Sequence, residues 1–290
     1  MIKVSKRFLD RAKKRLRRYQ KLLDSARARD VNESDTVVII TDFLDEILGY
    51  DKYTEITSEF SVRSTFCDLA LKVSGELVYL IEVKSAGTDL RDNHLRQAVD
   101  YAANQGIETV ILTNGIVWQI YRVRFEQPIS HDLILTIDVL DSTQKTAKLI
   151  QDLYLISREA TTASDLDRYC KQREATSRYV VSQLLLSDSF LRLLRREIRK
   201  VSSGISVSTE HLAALIRNEV IKRDALEGEK ALAATRLIKR ATRRRLKAER
   251  SEEEAPAPVA PTTSTGTTSG ATKNAVIIEP SISSTPKPVA

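Results

Sequence analysis

Two runs of alternating apolar residues, 66–73 and 77–84, flank Ser74-Gly75, and this pattern constrains the fold more than any other stretch of the chain. A period of two means strands that bury one face, and two such runs across a glycine-containing break read as a β-hairpin. Loop length decides which side chains meet. A two-residue loop pairs Asp68 with Ile81 and sends the acids of the two strands to opposite faces. A three-residue loop, Ser74-Gly75-Glu76 with Gly75 near the left-handed region, pairs Asp68 with Glu82. The second register also aligns Cys67 with Val83, Leu69 with Ile81 and Leu71 with Tyr79, one consistently apolar face for a core. The three-residue loop is therefore expected.

The other face then carries Asp68, Glu82 and Lys84, because residues two apart on a strand point the same way. Directly opposed residues have Cβ atoms about 5 Å apart, and two ionised carboxylates there repel by roughly 3 kcal/mol at an effective dielectric near 20. A divalent cation removes that repulsion, and hard oxygen ligands suit Mg²⁺ or Mn²⁺. Such an ion holds a phosphate oxygen and polarises an attacking water, while a neighbouring lysine stabilises the developing negative charge. Taken alone, Glu-x-Lys is equally an ordinary exposed pair on a solvated strand face.

The residues that follow add to the pattern. A helix is expected over residues 89–103, with Gln97 and Tyr101 an i, i+4 pair on one face. Residues 109–113 read as a strand, Asn114-Gly115 as a tight turn, and 116–121 as the returning strand. The ordered set Asp68, Glu82-x-Lys84, Gln97-x-x-x-Tyr101, Thr113-Asn114-Gly115 and Trp118 resembles the nuclease domain at the amino end of the motor subunit of type I restriction enzymes, a domain of the PD-(D/E)xK nuclease superfamily. The resemblance covers residues 35–140. It implies an α/β fold with a restriction-endonuclease-like mixed-sheet core and flanking helices. It also implies that Asp68 and Glu82 are metal ligands for Mg²⁺ (or Mn²⁺), that Lys84 is the catalytic lysine, and that Gln97 and Tyr101 sit near the substrate backbone. Cys67 stands where the superfamily name has proline. The family often adds an acid from the preceding helix. Here residues 34–48 carry an apolar stripe with Asp42, Asp45 and Glu46 beside it, and Glu46 is the chosen ligand, against Glu59 on an expected strand over residues 54–60. These helix acids also suit a plain solvated face.

Charge points to a polyanionic partner. The chain has 46 basic against 39 acidic residues, a net +7, yet the first thirty residues alone carry about +9. With Val4, Phe8, Leu9, Leu16, Tyr19, Leu22 and Leu23 forming a partial stripe, this segment reads as a basic amphipathic helix. Lys13, Lys14, Arg15, Arg17 and Arg18 would contact DNA phosphates through counterion release. Two other readings stay open: a surface helix that covers the α/β domain, and an anionic membrane surface. Arg243, Arg244 and Arg245 form a second basic patch with the same DNA-binding expectation. No apolar core follows the opening Met-Ile-Lys-Val and no run nears eighteen apolar residues, so a cytoplasmic protein with no membrane partner is expected. Cys67 and Cys170 lack companions at zinc spacing; Cys67 reads as a small core residue. His94, one turn before Gln97, reads as a surface or boundary residue.

Beyond residue 140 the pattern turns helical, with helices expected over 143–157, 178–201, 209–223 and 225–250. The expected organisation is a basic helix (1–31), a nuclease-like domain (32–140), an α-helical accessory domain (141–250) and a disordered tail (251–290) rich in Pro, Thr, Ser and Ala. The helical domain would receive a protein partner or form a homodimer. No phosphate-cradling Gly-rich motif is present, so ATP-driven translocation would come from elsewhere. The sequence thus leads to a metal-dependent DNA endonuclease without the motor. The alternatives are a non-catalytic DNA-binding or regulatory module that keeps the fold, and a scaffold.

Overall fold

The computed structural model describes residues 2–62, 65–202 and 204–253, with the side chains of 59–62, 65, 66, 97, 246 and 248–253 outside the description. The expected disordered tail therefore lies outside the described residues from 254 onward. The chain divides into two compact units, Met1–Ile238 and Lys239–Ala290.

The first unit is a mixed α/β structure built on a six-stranded sheet: β1 (Ile56–Val62), β2 (Thr65–Val73), β3 (Glu76–Val83), β4 (Thr109–Thr113), β5 (Val117–Arg124) and β6 (Ser130–Asp138). Spatial order follows sequence order. Neighbours are antiparallel except β3 and β4, which run parallel and are linked by a crossover through helix α3 (Arg96–Gln105).

The β2–β3 hairpin reaches the expected register by a different route. Its loop has two residues, not three: Val73 pairs with Glu76, and Ser74 (φ 54°) and Gly75 (φ 83°) both adopt the left-handed conformation, as a type I′ turn requires. A β-bulge between Leu71 and Lys72 then leaves Val78 unpaired and shifts the ladder by one, so Leu71 faces Tyr79 and Leu69 faces Ile81. The short turn and the bulge together do what the longer loop was expected to do.

Both faces of the sheet are covered. Leu69, Leu71, Ile81, Val83 and Ile111 pack beneath α1 (Lys6–Ala28), α2 (Glu33–Phe43, continued by a π turn Leu44–Leu48) and α4 (Thr146–Leu155). Ala70, Leu80 and Leu112 pack under α3, and Cys67 joins them rather than sharing the Leu69 face. Helix α1 is thus part of the core, not a separate basic element. It buries Phe8, Ala12, Leu16, Tyr19, Leu23 and Ala26, a 4-4-3-4-3 spacing that keeps one stripe turned to the sheet. Each large side chain in that stripe contributes about 1.5–3 kcal/mol. Tyr19, Phe43 and Trp118 form a chain of rings with successive centroids 5.4 Å apart.

The expected boundary at residue 140 moves as well. Helices α4, α5 (Arg158–Thr162) and the start of α6 (Asp165–Ala175) belong to the same core, through Leu153, Ala160 and Leu166. Polar clamps hold them there. Tyr50 Oη donates to Ile156 O at 3.1 Å, Arg158 Nε donates to Glu55 Oε1 at 2.7 Å, and Arg11 grips Glu159 at 2.6 and 2.8 Å. A smaller core of Leu191, Leu212, Ile216, Ile221 and Ala225 organises the later helices: α7 (Arg178–Leu185), α8 (Asp188–Val201) and α9 (Thr209–Leu215) with its π turn Ile216–Val220. The single helix expected over 178–201 is two, because Ser187 caps α8 by accepting from Phe190 N. Helix α10 (Glu229–Glu253) follows. No helix among the described residues is long and apolar enough to cross a membrane.

Candidate functional site

In an open sheet, ligand sites favour the crevice beyond the carboxyl ends of parallel strands. Among the described residues only β3 and β4 provide such a pair, and both carry polar residues there. Val83 ends β3, but Lys84 N still donates to Thr113 O at 2.8 Å, so the lysine is held in line with β4. The loop that follows is tied down on two sides. Asn114 Nδ2 donates to Thr88 O at 2.9 Å while Asn114 Oδ1 accepts from Ile116 N and Val117 N at 3.0 and 2.7 Å. Gly87 passes so close to α1's exit that an added Cβ would lie 2.9 Å from Asp30 Oδ1. The backbone behind Lys84 is therefore fixed by short-range geometry.

Three of the expected residues come together here. The β2–β3 ladder ends at Leu69–Ile81, and beyond it Asp68 lies near enough to Glu82 for their charges to interact. At that point the Asp68 side chain replaces the missing backbone partner: Val83 N donates to Asp68 Oδ2 at 2.6 Å. Lys84 Nζ lies 2.9 Å from Glu82 Oε1. Glu82 is 9% exposed, so its charge is largely removed from water.

The electrostatics follow from that burial. Desolvation pushes the Asp68 carboxyl above its ordinary value, against the Val83 N–H and Lys84, which favour the ionised form. Glu82 is raised for the same first reason, helped by Asp68 and Glu33 and opposed by Lys84. Burial alone would lower Lys84, but Glu82 and Glu33 outweigh it and leave the ammonium raised. The site holds more negative charge than one lysine offsets.

Glu33 is the residue that sequence reasoning missed. It stands in the first turn of α2, after the Asn32 cap, and its Oε2 lies 3.2 Å from Lys84 Nζ. The α2 carboxylate that meets Lys84 is at the amino end of the helix. Glu46, the expected choice, is engaged elsewhere: Arg15 lies 2.8 Å away and Arg18 3.4 Å away, both on α1. Asp42 faces Lys52 at 3.4 Å. Glu59 falls in β1, with its side chain outside the described residues.

Tyr101 is placed by its burial. It is 2% exposed and packs in the cluster of Cys67, Ala70 and Leu80. Gln97 lies in the first turn of α3; its side chain is outside the described residues. Burial first, then Glu82 and Asp68, push the Cys67 thiol up to about 12, which keeps it an unreactive packing group.

Of the basic residues expected to meet DNA, Lys13, Lys14, Arg17 and Arg18 are exposed on α1, Arg18 lending part of its charge to Glu46, while Arg15 is half-buried and committed to it. Arg243, Arg244 and Arg245 are exposed on the part of α10 that belongs to the second unit.

Among the described residues no group of three or more His, Cys, Asp or Glu side chains forms a ready metal-binding cluster. The donor set at the end of β3 is nevertheless consistent in kind: two carboxylates drawn out of water, with pKa values both raised, and Glu33 joined to them through Lys84. Two oxygen donors with excess negative charge fit a cation that keeps several of its waters, as Mg²⁺ does. No protein-family model, curated protein or solved structure matches this chain.

Proposed function

We propose that this chain is a metal-dependent DNA endonuclease whose α/β core is of the PD-(D/E)xK type. The observation that carries the reading is the convergence of Asp68, Glu82 and Lys84 at the carboxyl ends of the two parallel strands, where burial raises both carboxylates. A structural ion pair on a strand would need neither the second, uncompensated carboxylate nor the burial.

Asp68 and Glu82 would hold Mg²⁺ or Mn²⁺, which when bound supplies Lewis-acid polarisation of a phosphate oxygen and a water of lowered pKa. The chain's own groups do the rest. The Val83 N–H fixes the Asp68 carboxylate through Oδ2, which presets one ligand before any ion arrives. Lys84 Nζ, beside Glu82, stabilises negative charge as it develops on the attacking oxygen or the phosphoryl oxygens. Glu33 keeps that ammonium charged and aimed across the mouth of the site. Lys13, Lys14 and Arg17 offer a sequence-independent hold on phosphates.

Incubation of supercoiled plasmid with the protein and Mg²⁺ tests the reading. Nicked or linear product that disappears with EDTA is expected. Plasmid binding with no cleavage under Mg²⁺ or Mn²⁺ would instead make the chain a non-catalytic DNA-binding module.

A further inference from the structure

Besides α1, positive charge also gathers on α8. Arg192, Arg195, Arg196 and Arg199 recur at i, i+3, i+4 and i+7, so they share one face of that helix. Together with Ser189 and Leu193 they line an open groove of about 600 Å³. The opposite face is already committed: Leu191 is buried, and Leu194 and Ile198 pack against the small core.

Among the described residues this face is only partly neutralised, with Glu210 near enough to Arg195 for their charges to interact. Among the described residues Arg192 and Arg199 pair with no carboxylate, and the Arg192 Nε–H is used only on the Asp188 carbonyl at 3.2 Å. Glu197 is shared between Lys200 at 2.9 Å and Arg196 at 3.4 Å. Like charges at these spacings weaken a helix, so the row is a burden to the isolated fold. A polyanion laid along it removes that repulsion.

We propose that the outer face of α8 is a binding surface for the phosphate backbone of duplex DNA. The row from Arg192 to Arg199 covers seven residues, about 10.5 Å of helix at a rise of about 1.5 Å per residue. One DNA strand presents a phosphate roughly every 3.4 Å along the duplex axis, so the row spans about three phosphate steps. Guanidinium groups bind phosphate oxygens in pairs, which makes arginine the fitting residue here. An anionic membrane suits the face less well, because its apolar side is consumed by the core and Leu193 is the one apolar residue lining the groove. The inference takes from the proposed function only that the chain meets DNA. It adds a second anchor, carried by the later helices rather than by the α/β core.

The test is duplex binding by the full chain in EDTA, over a range of salt, for the wild type and the triple variant Arg192→Gln, Arg196→Gln, Arg199→Gln. These side chains are exposed, so the variant should melt no lower than the wild type. Its affinity should fall at least about tenfold and its slope of log affinity against log salt should flatten by up to about 2.7, near 0.9 for each phosphate no longer neutralised. Unchanged affinity and slope would overturn the proposal. So would wild-type binding to phosphatidylserine vesicles with none to duplex. Because EDTA removes cleavage from the readout, failure here is separate from failure of the nuclease reading. A wild type that binds through α8 but never cuts supports this surface and sinks the catalysis; a variant that binds and cuts normally does the reverse.

Discussion

Replacing Asp68 tests its two roles separately. Its Oδ2 accepts from Val83 N at 2.6 Å, and Val83 is fully buried. Asp68→Ala strands that N–H without an acceptor, which costs about 1–3 kcal/mol. In a unit of this size each kcal/mol moves Tm by about 2–4 °C, so a fall of roughly 4–8 °C is expected for the middle of that range. Asp68→Asn keeps a carbonyl oxygen for Val83 and removes only the charge. The folded pKa of Asp68 lies above its unfolded value, so its contribution to stability is full below the unfolded pKa and is lost as pH rises through the folded one. Once pH has risen through the folded pKa, the neutral Asn should melt at or above the wild type. Mg²⁺ adds a second axis. At a concentration about 100 times its Kd it should stabilise the wild type by about 2.7 kcal/mol and stabilise neither variant. Scanning calorimetry in EDTA and in Mg²⁺ reads all of this. The reasoning fails if the Ala variant melts as high as the Asn variant, or if Asn keeps the Mg²⁺ shift.

Other substitutions address the frame around the site. Leu16→Ala should destabilise by about 2–5 kcal/mol because α1 is part of the core, whereas Lys13→Gln should stay within about 0.5 kcal/mol; equal effects in denaturant titrations would return α1 to the surface. Burial opposes ionisation of Glu159, but Arg11 outweighs it and depresses the pKa, so the pair contributes above the unfolded pKa and is lost as pH falls through the folded one. Arg11→Met should therefore cost about 1.5–3 kcal/mol at neutral pH, with the gap closing in acid; a gap independent of pH would contradict the ion pair. Ser74→Asn should raise stability by about 0.5 kcal/mol, since Asn suits the left-handed first position of a type I′ turn; a loss in thermal melts would argue against that turn.

The alternation of β2 and β3 is enough to pair Leu69 with Ile81, because a one-residue slip would expose an entire apolar face. The turn departs from expectation for a local reason. Nothing in Leu77-Val78-Tyr79 signals a bulge, and a bulge with a short turn gives the same register as a longer turn. For α1, the alanines at 12 and 26 complete the buried stripe, and the large residues by themselves make the helix look half-amphipathic. Glu33 escapes notice because the apolar stripe places the helix start at Ser34 and its acids gather at the carboxyl end. Asn32 followed by Glu33 and Asp35 is a legible cap, but which end of α2 meets β3 is set by tertiary packing. Tyr101 shows the converse. Its i, i+4 relation to Gln97 is real, yet helical spacing alone does not say whether a face meets substrate or sheet.

Lys84→Ala offers the most direct test of the central claim, because the ammonium is asked to act on the chemistry and not on the fold or the DNA hold. Wild type and variant should bind duplex with affinities within about twofold in EDTA, since one side chain of a broad basic surface is removed. With Mg²⁺, the wild type should convert supercoiled plasmid to nicked or linear forms and the variant should not. Cleavage at the wild-type rate by Lys84→Ala, or none by a wild type that binds the same plasmid, would contradict the account.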